Sequence, residues 1–268
     1  MRKPLGPGRK QDQGGLLRPR PRRAGRGRGE HKDGAIPHMV LLVHGDFMET
    51  YQWHCGGTII SEKFVLTAAQ CTIKDEVIYV RTATVKKSDA LDPKRLYKVA
   101  RIVRHPDYNE VEDYNDIALL ETQTEMLLDR LAMPACLPVG DSYNDSSAVA
   151  LGFGTVGFGG KFSDSLSKVV LTKFSSEECA KHYKPASDLP YGIKGNIHLC
   201  YGDKIVSRDT CTGDAGGPLH IDNKDVHCMF RVIGIISFGI ACGIIGVPGV
   251  YTRVAAYTPW IESIVWPD

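Results

Sequence analysis

The densest run of chemistry-bearing residues is Asp209-Thr210-Cys211-Thr212-Gly213-Asp214-Ala215-Gly216-Gly217-Pro218-Leu219. It sets two carboxylates and a cysteine among glycines. Carboxylates suit arginine or lysine side chains through charge-assisted hydrogen bonds. Position 215 holds alanine, which has no oxygen with which to attack a carbonyl. Two upstream stretches, Thr67-Ala68-Ala69-Gln70-Cys71 and Asn115-Asp116-Ile117-Ala118, carry the amides of Gln70 and Asn115 and one more carboxylate, Asp116. Glutamine is not a base at any useful pH, whereas histidine titrates near neutrality. No group of His, Cys and Asp shows the spacing of a metal site, so neither metal nor cofactor is expected.

Short apolar runs separated by Gly, Pro, Asn and Asp must position these residues, and helical periodicity is rare. Strands are expected at 37–43, 52–60, 64–67, 77–81, 97–103 and 117–120. After a crossover near Pro134–Pro138 a second set follows at 148–151, 167–172, 198–201, 219–221, 229–238 and 249–254. Two sets of six short strands fit an all-β fold of two packed six-stranded antiparallel barrels. Ser175-Ser176-Glu177-Glu178 is a capping-box pattern opening a short helix that carries Cys179. A C-terminal helix is expected with Thr258 as its cap and Pro259 first inside. Trp260, Ile261, Ile264 and Val265 would form its apolar stripe. No run approaches the roughly 18–20 apolar residues of a membrane helix.

These motifs, in this order, resemble the trypsin-like (chymotrypsin-fold) serine proteases over residues 34–268. Trp53-His54-Cys55-Gly56-Gly57 with Ala68-Ala69-Gln70-Cys71 is similar to the family's histidine motif, with Gln70 where the histidine stands. Asn115-Asp116-Ile117-Ala118-Leu119-Leu120 matches the aspartate motif unchanged, and Gly213-Asp214-Ala215-Gly216-Gly217-Pro218 the nucleophile motif, with Ala215 where the serine stands. The resemblance implies a degenerate triad of Gln70, Asp116 and Ala215, in which Asp116 accepts a hydrogen bond from the Gln70 amide. It places an oxyanion hole around Gly213. What remains after loss of triad members is about 10³–10⁴-fold over water, far below a working protease.

The same resemblance puts Asp209 at the bottom of a specificity pocket walled by Ser237, Gly239 and Gly249, suited to Arg or Lys. It makes Asp214 the acid that, in family members, pairs with an amino terminus freed by cleavage. Nothing in Gly25-Arg26-Gly27-Arg28-Gly29 resembles that Ile-Val-Gly-Gly terminus. A buried Asp214 must therefore shift its pKa, relax outward or find a substitute, and a loosened, zymogen-like loop is expected. Of the eight cysteines, the resemblance pairs Cys55–Cys71, Cys179–Cys200 and Cys211–Cys242, which implies an oxidising, extracellular setting. Cys136 and Cys228 are left over. Cys136 sits where many relatives tether a propeptide or light chain, so it is open to another chain, to Cys228 or to neither.

Residues 1–33 differ from the rest: they are rich in Arg, Lys, Gly and Pro, with little that could be buried. Such a segment is expected to be disordered. It lacks the apolar stretch of about 7–15 residues of an export leader, and the interleaved aromatics that would favour nucleic acid. Asn144-Asp145-Ser146 is a glycosylation sequon. The motifs Pro37-His38-Met39 and Pro134-Ala135-Cys136-Leu137-Pro138 are similar to the clip-domain branch, which includes non-catalytic homologues acting in extracellular immune and developmental cascades. The leading expectation is a secreted pseudoprotease that binds a protein partner (a protease, a zymogen or an arginine-bearing substrate) without cutting it. The alternatives are an endopeptidase of Arg/Lys specificity and a polyanion binder acting through the basic tail.

Overall fold

The computed structural model describes residues 29–30, 36–45, 52–74, 77–140, 145–155, 157, 159–223 and 229–267, with the side chains of 29, 30, 53 and 54 left aside. Asn144, Cys228 and most of the basic tail lie outside the described residues. The strands are β1 Gly29–Glu30, β2 Met39–His44, β3 Gln52–Ile59, β4 Phe64–Thr67, β5 Ile78–Arg81, β6 Leu96–Arg104 and β7 Ala118–Thr122. They continue as β8 Ser147–Gly152, β9 Ser167–Phe174, β10 His198–Gly202, β11 Pro218–Asp222, β12 Phe230–Phe238 and β13 Gly249–Arg253. Helix α1 spans Ser176–Ala180 and α2 spans Thr258–Val265.

Strands β2-β3-β4-β7-β6-β5 close into one antiparallel barrel. Strands β9-β10-β13-β12-β11-β8 close into the second, because β8 also pairs with β9. The expected two-barrel architecture is therefore what the chain adopts.

Strand β2 explains how the barrels stay together. Its six residues, Met-Val-Leu-Leu-Val-His, are all buried, and successive side chains point to opposite faces. Val40 and Leu42 enter the interior of the first barrel with Ile59, Leu66, Ile78 and Leu119. Met39 and Leu41 turn the other way and pack on Leu151, Phe153 and Leu166 of the second barrel. Burying each such side chain is worth about 1.5–3 kcal/mol, so one apolar strand stabilises both units. The first-barrel core also takes in Val232, Ile235, Ile261 and Val265, which ties β12 and α2 to it.

Two local expectations change. Gly29–Glu30 forms a short antiparallel pair with Ser167–Lys168, so the end of the basic segment joins the sheet instead of staying free. Backbone pairing to an open edge needs no apolar side chain, which is why composition did not signal it. At the C-terminus Tyr257, not Thr258, holds the cap position, because the 3₁₀ turn Val254–Tyr257 runs directly into α2. Thr258 opens the helix, and its hydroxyl faces the Pro138 and Val254 carbonyls. Helix α1 has the full capping box: Ser175 Oγ accepts the Glu178 N–H at 3.1 Å, and the Glu178 carboxylate accepts the Ser175 N–H at 2.9 Å.

Candidate functional site

The site lies where the two barrels face one another. Gln70 sits on a 3₁₀ turn, Ala69–Thr72, just after β4. A disulfide from the next residue, Cys71, to Cys55 pins that turn to β3. Asp116 precedes β7, and its neighbour Asn115 has φ 55°, a left-handed conformation that asparagine tolerates better than most residues. Tyr257 Oη donates to the Asn115 side-chain oxygen at 2.9 Å, and Asn115 Nδ2 donates to the Asp107 carbonyl at 3.0 Å, so the turn is held from both sides.

Three donors converge on Asp116, which is 3% exposed. The Gln70 backbone N–H donates to Oδ1 at 2.9 Å, Gln70 Nε2 to Oδ2 at 2.6 Å and Ser237 Oγ to Oδ2 at 2.5 Å. Gln70 Nε2 also donates to the Ser237 carbonyl at 3.0 Å. Both amide hydrogens are thus engaged, and the amide oxygen is a poor proton acceptor. Ser237 carries a role that its place in the pocket wall did not signal: its hydroxyl helps hold Asp116. Thr252 Oγ1, also unforeseen, donates to the Asp116 carbonyl at 2.8 Å. Nearby Asp113 is pushed up to about 6, first by burial and then by the charges of Asp188 and Asp116.

Ala215 is half-buried, and its methyl group packs at the edge of the first-barrel core. Its carbonyl accepts the Gly56 N–H at 2.8 Å, which joins the 209–219 stretch to β3. Gly213 has φ +91°, a conformation other residues adopt only under strain. Asp214 is 1% exposed, with Oδ1 accepting the Gly154 N–H at 2.7 Å and Oδ2 the Cys211 N–H at 2.8 Å. The expected loosened loop is not what the structure has: the carboxylate stays inside because backbone amides supply compensating hydrogen bonds.

Below this loop lies a cavity of about 290 Å³. It is lined by Gln70, Asp209, Gly213, Ala215, Ser237, Gly239 and Gly249 among others, so one space gathers most of the positions named from the sequence. Asp209 Oδ1 accepts the Thr210 N–H at 2.8 Å and Oδ2 the Gly243 N–H at 3.3 Å. A β-carbon on Gly249 would come within 3.2 Å of Asp209 Oδ1, so any side chain there intrudes on the carboxylate. Burial raises the Tyr251 hydroxyl well above its ordinary pKa, and the Asp209 charge adds to this.

Bridges Cys179–Cys200 and Cys211–Cys242 join Cys55–Cys71. Cys211–Cys242 ties the two loops that flank the cavity. Cys136 is disulfide-bonded, and there are no free cysteines among the described residues. Of the three readings left open for Cys136, the structure has its sulfur in a bridge within the chain, and neither free nor tethered to a second chain. Among the described residues no group of three or more His, Cys, Asp or Glu could hold a metal ion, and no helix is long and apolar enough to cross a membrane.

The family model described as Trypsin matches residues 26–261. The chain belongs to the trypsin family. Serine protease snk of Drosophila melanogaster is 34% identical over 241 residues, covering 88% of this chain and 55% of that protein. Serine protease Hayan of the same organism is 31% identical over 249 residues, covering 90% of this chain and 39% of that one. Against these two trypsin-family relatives the chain spans about half the length or less. A Venom protease of Bombus pensylvanicus is 30% identical over 247 residues, covering 88% of this chain and 96% of its own.

Proposed function

We propose that this trypsin-family chain binds a protein partner without cutting it. The observation that carries the reading is the pairing of Gln70 with Asp116 and Ser237 on a cavity wall it shares with Ala215. A nucleophile must be within reach of a base that a third group orients. Here the orienting carboxylate is kept, while the base position holds an amide already engaged and the nucleophile position has no oxygen. Residues 34–268 form the binding unit and residues 1–33 are an appended basic segment.

The Asp209 cavity supplies the recognition. Its carboxylate, with small residues at 239 and 249 leaving room above it, suits a guanidinium or ammonium group on the partner. The disulfides support a secreted protein, and the resemblance to the clip-domain branch supports a place in an extracellular proteolytic cascade of the immune or developmental kind. The test is a titration with p-aminobenzamidine, read by fluorescence, beside hydrolysis of an arginyl peptide. Saturable binding lost in Asp209→Ala, with no hydrolysis above buffer, is expected. Hydrolysis by the unaltered chain overturns the reading, and so does binding that survives Asp209→Ala.

A further inference from the structure

Asp214 accepts hydrogen bonds from the Gly154 and Cys211 backbone amides. It is 1% exposed, and removing a carboxylate from water costs several kcal/mol unless its charge is answered. A cation stands behind it. Lys87, in the loop between β5 and β6 of the first barrel, is half-buried and reaches the second barrel, where its Nζ donates to the Phe153 carbonyl at 3.1 Å.

The Phe153 carbonyl and the Gly154 N–H belong to one peptide group. That group therefore has an ammonium on its oxygen and, through Gly154, the Asp214 carboxylate on its hydrogen at 2.7 Å. A peptide carries a dipole of about 3.5 D, and here a cation faces its negative end and an anion its positive end. The two charges polarise the same bond in the same sense, so each strengthens the other's hydrogen bond. Burial lowers the Lys87 pKa, while the charges of Asp214 and Asp164 raise it.

The neighbourhood is built around this contact. The Lys87 backbone N–H donates to the Asp164 carbonyl at 2.8 Å, which anchors the loop to the second barrel. Its ammonium lies 5.2 Å from the Phe162 ring centroid and 5.8 Å from that of Phe153, both within cation–π range. Phe162 in turn covers Gly213, where an added β-carbon would meet the ring at 2.6 Å. The Thr155 N–H donates to the Thr212 carbonyl at 2.9 Å, so the 152–155 and 211–214 segments lie backbone to backbone.

We propose that Lys87 is a positioning residue: its ammonium, acting through the Phe153–Gly154 peptide, holds Asp214 and with it the 211–215 wall of the Asp209 cavity. The first barrel thus sets a cation against this loop of the second. The consequence for ligands rests on the reading of the cavity as a binding site; the structural claim does not.

The test is hydrogen exchange, followed by mass spectrometry, in the full chain and in Lys87→Gln, Lys87→Arg and Lys87→Gln combined with Asp214→Asn. Lys87→Gln should speed exchange at 152–155 and 211–217 by about tenfold or more while β4 and β7 keep their protection. Lys87→Arg keeps the charge and should stay within about twofold of the parent. In the Asp214→Asn background Lys87→Gln should add nothing further. Parent-like exchange in Lys87→Gln overturns the proposal. So does equal loss in Lys87→Arg, or the same increment with Asp214 already neutral. Should the Asp214 variant fail to fold, the Gln and Arg pair decides alone. The binding reading is tested separately, by the benzamidine titration of the unaltered chain, so its failure is distinguishable from failure of this one.

Discussion

Gln70 Nε2 lies 2.6 Å from Asp116 Oδ2 and 3.0 Å from the Ser237 carbonyl oxygen, so a neutral amide bridges the two barrels at the centre of the site. Imidazole in the same place would donate one proton to Asp116 and offer a lone pair toward residue 215. The amide donates twice and offers nothing comparable. This difference sets the first two predictions.

Ala215→Ser alone should leave arginyl-peptide hydrolysis at background, because no base takes the hydroxyl proton. Gln70→His with Ala215→Ser should restore measurable turnover. A positioned general base contributes about 10²–10⁴-fold, and that is the gain expected of the double variant over the single one. Turnover in Ala215→Ser equal to that of the double variant contradicts the assignment of position 70.

Asp116→Asn should lower stability by about 2–4 kcal/mol in urea unfolding, since it turns an amide N–H₂ toward a site where three donors already converge. Gln70 is exposed, so Gln70→Ala should cost about 1 kcal/mol or less, mainly through the vacated hydrogen bond. Equal losses in the two variants would mean that Asp116 is not the buried hub described above.

Gly249→Val should weaken benzamidine binding without unfolding the chain. The β-carbon alone comes within 3.2 Å of Asp209 Oδ1, and the two methyl groups beyond it reach further into the cavity. Loss of about 10–100-fold in affinity is the size expected for one charge-assisted contact denied. Parent-like affinity, with circular dichroism unchanged, would place the ligand elsewhere.

Stability should fall in mild acid. His38 and His220 touch between the barrels, with Nε2 3.2 Å from Nδ1, and both are buried. Burial lowers His38 to about 3 and His198 to about 4. In the unfolded chain these imidazoles bind protons below about pH 6.5, whereas the fold keeps them neutral. Stability is therefore full above pH 6.5 and is lost as pH falls toward 4. Asp113, raised to about 6, works in the opposite sense below pH 6 and offsets part of the loss. At pH 5 each histidine costs about 2 kcal/mol and Asp113 returns about 1 kcal/mol. His38→Phe should remove about 2 kcal/mol of the difference between urea unfolding at pH 7 and at pH 5. An unchanged difference in that variant would remove His38 from the account.

The amino-acid sequence by itself determined the two-barrel class, the strand positions to within a few residues and most of the named residues that line the cavity. Short apolar runs between turn residues define strands through local period and turn chemistry. The ordered motifs around Gln70, Asp116 and Ala215 point to one family before any fold is seen. What it left open were relations between residues distant along the chain. Nothing local says that Ser237 donates to Asp116 across 121 positions, or that Lys87 and Asp214 share the two ends of one peptide group. The short pairing of Gly29–Glu30 with β9 was equally invisible, because backbone hydrogen bonding is blind to side-chain pattern. Whether Asp214 would leave the interior or stay was a question of compensation. Only the tertiary structure decided it, by bringing amides from two separate segments to one buried carboxylate.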